Sequence, residues 1–360
     1  MIPFQALPPR YAAWTPALLG GPIPHEGGAT CDDCAMCVKA DGRVPTASYY
    51  FDPDKKCCSY QPNLVNFLVG AILADPDPDL AHAQDALRAR LAARSAVGPL
   101  GIGRPSAYAL AYDQAVETLG RSGALICPYF TPGGTCGIWR HRDAVCATYF
   151  CRHERGWVGS DFWRSLQELL LLVDASLARW AALQLDVDPA VVAERVAREH
   201  TGVPFTRATG RSLDGIVDDA AWAASWGIWA GRELDYFARC AELVAPLAWA
   251  DVSRICGPEV DALARVARRA YARLRDDATV PAHLRVGAFQ IVTQRVDGVR
   301  CVTHSPTDAI DLPTALLRHL PSFDGRPTKI VLDEMALQHG VGIEPAYLRR
   351  LVDWGILVAT

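Results

Sequence analysis

The sequence predicts a mixed α+β protein that is mostly helical and is divided into three domains. Three observations lead to this prediction. Nine of the twelve cysteines lie between Cys31 and Cys151, in a stretch interrupted by glycines and prolines. From Ser160 onward, apolar residues recur at spacings of three and four, which is typical of amphipathic helices. Near the C-terminal end, a run of β-forming residues surrounds Asp297-Gly298, a dipeptide that favours a tight hairpin turn.

The length and composition of the chain indicate a globular protein with more than one core. At 360 residues, the chain is longer than one hydrophobic core normally serves. We expect an irregular, metal-stapled, cysteine-cluster domain in residues 1–159, a helical domain in 160–280, and a β-hairpin plus winged-helix-like domain in 281–360. The net charge of -4 and the pI near 6.1 argue against a nucleic-acid binder, which would carry a basic excess.

No segment of the sequence predicts export or a membrane span. Met1 to Trp14 lacks a basic region followed by an apolar one, so we expect no secretory signal. The apolar run from Leu166 to Leu185 carries Glu168, Asp174 and Arg179, which indicates a packed amphipathic helix. We therefore expect a soluble, cytoplasmic protein. Because thiols stay reduced in the cytoplasm, twelve cysteines there indicate metal binding rather than disulfides.

Apolar spacing and capping residues predict the helices of the first two domains. The N-terminal domain has a short helix predicted within Pro62–Leu73 and a clearer one over Asp79–Ala93. The middle domain has helices predicted from Ser160 to Trp180, from Asp188-Pro189 toward His200, from Ser212 through Trp222, Trp226 and Trp229 to Phe237, and from Pro258 to Leu274. We expect the three tryptophans of the long pattern to form part of the core of that domain.

The C-terminal domain is predicted to begin with a β-hairpin and to continue with short helices. Phe289 to Val296 and Val299 to Thr303 would pair across the Asp297-Gly298 turn. The later predicted elements are a helix over Pro313–Leu320, a turn over Phe323–Thr328 that leads into a helix, a helix over Glu344–Trp354, and a strand over Gly355–Val358. Because Arg349-Arg350 is the only basic pair of this module, we expect it to contact a protein partner rather than nucleic acid.

The first group of cysteines is Cys31, Cys34 and Cys37, followed by the doublet Cys57-Cys58. Two-residue spacers let thiolates converge on one ion or cluster, because a tight turn brings their sulfurs together. Adjacent side chains rarely point to the same side of the backbone. We therefore expect one ligand from the doublet and include Cys58, while the role of Cys57 stays open.

The second group of cysteines falls within roughly 25 residues and consists of Cys127, Cys136, Cys146 and Cys151. Nearby arginines, including Arg142, would stabilise thiolates or an anionic cluster. The alternative interpretation is that such cysteines are small buried core residues. We apply that interpretation to the scattered cysteines Cys240, Cys256 and Cys301.

The second group resembles the YkgJ-type cysteine-cluster family, which is described as zinc- or iron-chelating. The family pattern runs Cys-Pro-aromatic-Leu, a short loop, Cys-x-Ile-Tyr, x-x-Arg-Pro and a further Cys. This sequence matches it with Cys127-Pro-Tyr-Phe, Cys136-Gly-Ile-Trp, Arg142 and Cys146, although Asp143 stands where the family has Pro. The resemblance is confined to the N-terminal half and implies a metal held by cysteines. Flagellin lysine N-methylases have a loosely similar pattern, so an enzyme is also conceivable.

Thiolate ligation suits both an iron–sulfur cluster and zinc. The predicted metal ligands are Cys31, Cys34, Cys37, Cys58, Cys127, Cys136, Cys146 and Cys151. This set exceeds one tetrahedral zinc and could hold one four-iron cluster plus a further metal or spare thiols, or two four-cysteine sites. We favour a 4Fe-4S cluster with a role in electron transfer, redox sensing or redox catalysis. One alternative is a zinc-stabilised scaffold without catalysis, and another is a cluster-dependent protein-modifying enzyme. His141 and His153 flank cysteines and could ligate metal, hydrogen-bond to a ligand, or face solvent.

Overall fold

The computed structural model describes residues 7–27, 34–39, 50–115, 118–201, 218–276 and 278–360. Within these ranges most of the regular structure is helical, and the strands form small antiparallel sheets. This arrangement confirms the prediction of a mostly helical α+β fold.

The α-helices are α1 (Pro9–Leu19), α2 (Asn66–Ala74), α3 (Ala81–Ala92), α4 (Ser106–Gln114), α5 (Ala144–Thr148), α6 (Gly156–Gln184), α7 (Pro189–Thr201), α8 (Asp219–Trp226), α9 (Glu233–Val244), α10 (Trp249–Cys256), α11 (Pro258–Arg275), α12 (Thr314–His319), α13 (Thr328–His339) and α14 (Pro345–Asp353). The strands are β1 (Leu64–Val65), β2 (Val97–Gly98), β3 (Gly101–Ile102), β4 (His283–Val286), β5 (Gln290–Gln294), β6 (Gly298–Val302), β7 (Ile310–Pro313), β8 (Asp324–Pro327) and β9 (Leu357–Ala359). Their orders in the sheets are β1-β3-β2, β8-β4-β9 and β5-β6-β7.

The chain forms two compact units, and each unit is assembled from three separate stretches of sequence. Unit 1 consists of Met1–Ile23, Phe51–Thr148 and Gln167–Ala264. Unit 2 consists of Pro24–Tyr50, Tyr149–Leu166 and Arg265–Thr360. The division into the three consecutive domains 1–159, 160–280 and 281–360 stays a prediction.

In unit 1, helix α2 packs directly against α9. Gly70 makes this close approach possible, because a Cβ atom built on it would lie only 1.8 Å from the carbonyl oxygen of Phe237. Asn66, at the start of α2, donates from its side-chain amide to the carbonyl oxygens of Pro99 at 3.1 Å and Ala178 at 2.9 Å. These contacts bring Asn66, Pro99 and Ala178 together within the core of the unit.

The long helix α6 begins at Gly156, ahead of the predicted start at Ser160. Val158 is buried one turn before Phe162, so the apolar face of the helix extends beyond the predicted boundary. The predicted start of α7 is confirmed, because the Asp188 carboxylate accepts a hydrogen bond from the backbone of Ala190 at 2.8 Å. In the described part of the chain, neither α6 nor any other helix has the length and hydropathy needed to cross a membrane.

The long helical pattern predicted from Ser212 is divided in the structure, and Ser212 itself lies outside the described residues. Helix α8 ends at Trp226, a short 3-10 turn follows, and α9 begins only at Glu233. Gly227 and Gly231, with φ of 54° and 79°, adopt backbone conformations that interrupt an α-helix. The prediction of one continuous helix is therefore wrong. Trp222 and Trp226 are nevertheless buried, as expected for core residues.

Unit 2 contains the predicted hairpin, in which β5 pairs with β6 and Ile291 lies opposite Cys301. Its turn is centred on Val296 and Asp297 rather than on Asp297 and Gly298, because the N–H of Arg295 donates to the carbonyl oxygen of Gly298, the first residue of β6. Strand β7 extends this sheet on the other side of β6. The segment predicted as a turn after Phe323 is instead strand β8, because it pairs with β4, where Asp324 lies opposite Arg285. Buried side chains of the strands and of α12 to α14 form one apolar core that includes Leu284, Leu316, Phe323, Val331 and Leu351.

Candidate functional site

The predicted cysteine ligands are distributed over both units. Cys31 lies outside the described residues. Unit 1 contains Cys58, Cys127, Cys136 and Cys146, whereas unit 2 contains Cys34, Cys37 and Cys151. No disulfide joins cysteines within the described part of the chain. The sequence does not decide between one site and two, and the assignment of these eight residues as metal ligands stays a prediction.

A tight loop in unit 1 brings Cys127 near Cys136. The backbone N–H of Phe130 donates to the carbonyl oxygen of Cys127 at 3.0 Å, and Phe130 also forms an isolated β-bridge with Cys136. Gly134 turns the loop with a φ of +77°, a conformation that favours glycine. The N–H of Cys127 donates to the carbonyl oxygen of Cys58 at 2.7 Å, so the backbone of Cys58 lies directly beside this loop.

The start of helix α5 positions Cys146. The Asp143 carboxylate accepts a hydrogen bond from the Cys146 N–H at 2.9 Å, which is the usual way in which aspartate caps a helix. Arg142 donates to the carbonyl oxygen of Cys146 at 3.1 Å, and its guanidinium lies 3.5 Å from the ring centre of Trp139. Arg142 thus fixes the backbone around Cys146 and stacks on an aromatic ring.

Cys127, Cys136 and Cys146 interact electrostatically, although their three sulfur atoms do not all lie within 4.8 Å of one another. We refer to these three residues as the thiol cluster. Burial, with smaller contributions from Cys136 and Asp143, raises the pKa of Cys127 to about 12. Burial likewise raises the pKa of Cys146 well above its ordinary value, followed by the effects of Asp143, Cys136 and Cys127. A bound metal cation would reverse this balance, because a coordinated thiol loses its proton.

The cysteines of unit 2 are held by local backbone contacts. The N–H of Cys37 donates to the carbonyl oxygen of Cys34 at 3.1 Å, which is the tight turn expected from a two-residue spacer. The hydroxyl of Thr307 donates to the carbonyl oxygen of Cys151 at 2.7 Å. Cys151 is therefore tied to a loop that lies more than a hundred residues later in the chain.

His141, one of the two histidines that flank cysteines, pairs with a carboxylate of unit 1. Its Nε2 lies 2.8 Å from Oδ2 of Asp75, and both side chains are mostly buried. Burial lowers the pKa of His141, and the nearby Asp75 carboxylate opposes this effect. The structure thus gives His141 a partner that the sequence does not suggest.

A second group of potential ligands lies in unit 2 and consists of His153, His304 and Asp308, which we call the His–Asp group. His153 Nδ1 and His304 Nε2 each lie 3.1 Å from the same oxygen, Oδ2 of Asp308. The three ligand atoms lie within 4.8 Å of one another. Within the described residues this is the only such set of three histidine, cysteine or acidic side chains.

The His–Asp group is buried but adjoins a cavity. The side chains of His153, His304 and Asp308 are only 7%, 3% and 5% exposed. Burial alone would raise the pKa of Asp308, but its interactions with His153 and His304 hold it below its ordinary value. His153 and Asp308 line a cavity of about 450 Å³ in unit 2, whose wall also includes Arg152 and Arg350.

Only His153 of this group is among the residues that the sequence suggests as ligands. About 150 residues separate it from His304 and Asp308, so no local spacing connects them. His304 and Asp308 are four residues apart, which would place them on one face of a helix, but this stretch is a loop. The group arises from tertiary folding alone.

Comparisons with protein-family models, with curated proteins and with solved structures found no match to this chain. The resemblance to the YkgJ-type family consequently stays a prediction from the cysteine motifs.

Proposed function

We propose that this chain is a cysteine-ligated metalloprotein that binds a 4Fe-4S cluster and uses it in electron transfer, redox sensing or redox catalysis. The observation that supports the proposal is the loop of unit 1 in which Phe130 hydrogen-bonds to Cys127 and forms a β-bridge with Cys136, while both cysteines interact electrostatically with Cys146. The backbone hydrogen bond from Cys127 to Cys58 supports Cys58 as a fourth ligand. Soft thiolate donors are the ligands that iron–sulfur clusters require.

The residues around the thiol cluster fit such a group. Tyr129 and Ile138 follow Cys127 and Cys136 closely in sequence and are almost fully buried. An apolar shell of this kind limits solvent access and thereby influences the redox potential of a bound cluster. When bound, the cluster would supply one-electron redox chemistry, while the chain would supply thiolates and a water-poor environment.

One observation favours the alternative of a zinc-stabilised scaffold without catalysis. The thiol cluster together with Cys58 provides four cysteines in one unit, which equals the ligand count of a structural zinc site. A site of this type would contribute folding energy to unit 1 and would carry no redox chemistry.

Metal analysis of protein purified without oxygen distinguishes the iron–sulfur protein from the zinc-stabilised scaffold. We expect about four irons with matching sulfide, and a broad visible absorption band that dithionite bleaches. Stoichiometric zinc in colourless protein would instead establish the scaffold alternative. Protein that folds fully with neither metal would contradict both.

The variant Cys136→Ser tests the ligand assignment. We expect its metal affinity to fall roughly 10-fold or more, because even residues that support a ligand contribute that much. Cys240→Ser is the matched control, since Cys240 is a fully buried cysteine of the same unit on helix α9. Unchanged metal stoichiometry in Cys136→Ser would remove this residue from the ligand set.

The proposal retains further predictions from the sequence. Cys31, Cys34, Cys37 and Cys151 remain candidate ligands, and the tight turn between Cys34 and Cys37 supports their convergence. We also propose a cytoplasmic location, a winged-helix-like character for residues 281–360, and a protein partner for that module.

A further inference from the structure

The geometry points to a second metal centre, in which His153, His304 and Asp308 bind one divalent transition-metal ion through nitrogen and oxygen. Zinc lies about 2.0–2.2 Å from such ligands, so ligand atoms around a tetrahedral ion are roughly 3.4 Å apart. Both nitrogen-to-oxygen distances of the His–Asp group are 3.1 Å. The two histidine nitrogens lie within 4.8 Å of each other, so binding an ion requires the three ligand atoms to adjust toward a common separation of roughly 3.4 Å.

The hydrogen bonds of Thr303 define the tautomer of His304. The Thr303 hydroxyl donates its single hydrogen to the carbonyl oxygen of Trp354 at 2.6 Å. Toward His304 Nδ1, which lies 3.0 Å away, the same oxygen can therefore only accept. The hydrogen of a neutral His304 ring is thus on Nδ1, and its Nε2 lone pair points at Asp308.

This tautomer leaves two lone pairs facing each other, one on His304 Nε2 and one on Asp308 Oδ2, 3.1 Å apart. A positive charge between them is needed to make the contact favourable. A divalent cation provides that charge and uses both lone pairs as ligands. The competing interpretation is an additional proton on His304, which would make the group a hydrogen-bonded cluster without metal.

Other contacts hold the ligands in place before a metal arrives. The backbone N–H of His153 donates to Asp308 Oδ2 at 3.0 Å. The Thr307 hydroxyl, next to Asp308, donates to the carbonyl oxygen of Cys151 at 2.7 Å. Two loops distant in sequence are thereby fixed against each other, and partners of this kind orient ligands in metal sites.

The identity and number of the donors indicate the class of ion. Two histidines and one carboxylate suit zinc and non-haem iron(II), whereas calcium and magnesium prefer oxygen ligands alone. Three protein ligands leave a coordination position for water or another small ligand, as in catalytic metal sites. Because His153 and Asp308 line the cavity, that position would be accessible from it. The cavity wall carries charged groups of both signs, including the basic residues Arg152 and Arg350 and the acidic residues Glu154 and Asp353.

Cobalt(II), a spectroscopic substitute for zinc, tests the centre in protein that retains its cysteine-bound metal. We expect one additional equivalent of cobalt to bind with weak visible bands and without a thiolate charge-transfer band. His304→Gln and Asp308→Asn should each weaken this binding roughly 100-fold or more while leaving the cysteine-bound metal unchanged. His339→Gln, an exposed histidine of unit 2, should bind cobalt as the unmodified chain does.

The proposal is overturned if the unmodified chain takes up no additional cobalt, or if both variants bind it with unchanged affinity. X-ray absorption of the unmodified chain with one added equivalent of zinc does not depend on the folding of any variant. Nitrogen and oxygen neighbours of the added zinc at about 2.0–2.1 Å support the site, whereas sulfur neighbours at about 2.3 Å exclude it. Because the cysteine-bound metal is measured separately, failure of this centre and failure of the thiol cluster are distinguishable.

Discussion

At the scale of single residues, burial controls the protonation of Asp174 on helix α6. The Tyr11 hydroxyl donates to one carboxylate oxygen of Asp174 at 2.5 Å. Burial raises the pKa of Asp174 to about 6, and the nearby Arg10 offsets only part of this effect. From the sequence Asp174 is a polar marker of an amphipathic helix, whereas in the fold it is 4% exposed.

This residue should make the stability of unit 1 depend on pH. The folded chain retains the Asp174 proton up to about pH 6, whereas the ordinary pKa is 3.8. The unfolded chain loses that proton first, so the contribution of Asp174 to the free energy of unfolding falls as pH rises from about 4 to 6. Relative to the unmodified chain, Asp174→Asn should gain about 2 kcal/mol in the free energy of unfolding between pH 4.5 and pH 7. Urea unfolding at pH 4.5 and 7 measures the difference, and Asp113→Asn at an exposed site on α4 is the control. Equal pH dependence in all three proteins would contradict the prediction.

Single residues also show how far the site could be predicted from sequence. The two-residue spacer predicts the turn between Cys34 and Cys37, and this turn forms because the spacer acts locally. The positions of His304 and Asp308 beside His153 depend on contacts between distant loops, for which sequence spacing carries no signal. The local turn between Cys34 and Cys37 was therefore predictable from the sequence, whereas the assembly of the His–Asp group was not.

At the scale of elements, the contact between α2 and α9 depends on one missing side chain. Gly70→Ala would place a Cβ atom against the Phe237 backbone, which cannot move aside as a flexible side chain could. We expect a loss of about 1–3 kcal/mol in the free energy of unfolding, as for other overpacked cores. Denaturant unfolding measures this loss, and Gly342→Ala is the control because its Cβ would meet no neighbour within 4 Å. Equal stability of the two variants would show that α2 can shift away from α9.

Element boundaries could be predicted where a local signal determines them. The start of α7 follows from Asp188, whose side chain caps the helix. The β5–β6 hairpin was also predictable, although its turn lies at Val296-Asp297, one residue before the predicted Asp297-Gly298. The break between α8 and α9 depends on the positive φ values of two glycines. The sequence does not reveal these φ values, because a glycine can also occur inside a helix. Strand β8 depends on its partner β4, so the segment alone suggests only a turn.

At the scale of the whole molecule, each unit depends on stretches that are far apart in the chain. In unit 1, Trp14 donates to the carbonyl oxygen of Leu247 at 2.8 Å, and Asn66 donates to that of Ala178 at 2.9 Å. A chain ending at residue 159 lacks both acceptors. Composition and motifs suggest a separable N-terminal domain. They carry no information on these long-range hydrogen bonds, which link the N-terminal residues to later parts of the chain.

We therefore expect the chain truncated after residue 159 to be unable to fold cooperatively, even with metal added. A chain ending at Arg275 keeps all three stretches of unit 1 and should retain a cooperative urea transition. Far-UV circular dichroism during urea titration measures both. A cooperative transition in residues 1–159 would favour the three consecutive domains and would contradict this expectation.

The interleaved order of the two units also has a consequence during translation. The thiol cluster leaves the ribosome after Cys146, but the last stretch of unit 1 ends only at Ala264. At synthesis rates of about 5–20 residues per second, the nascent chain would expose these thiols for roughly ten seconds before their surroundings are complete. Unit 2 is completed later than unit 1, because its final stretch extends to Thr360. Metal delivery to this protein is therefore expected to follow synthesis, and a reducing environment or a chaperone would have to protect the thiols until then.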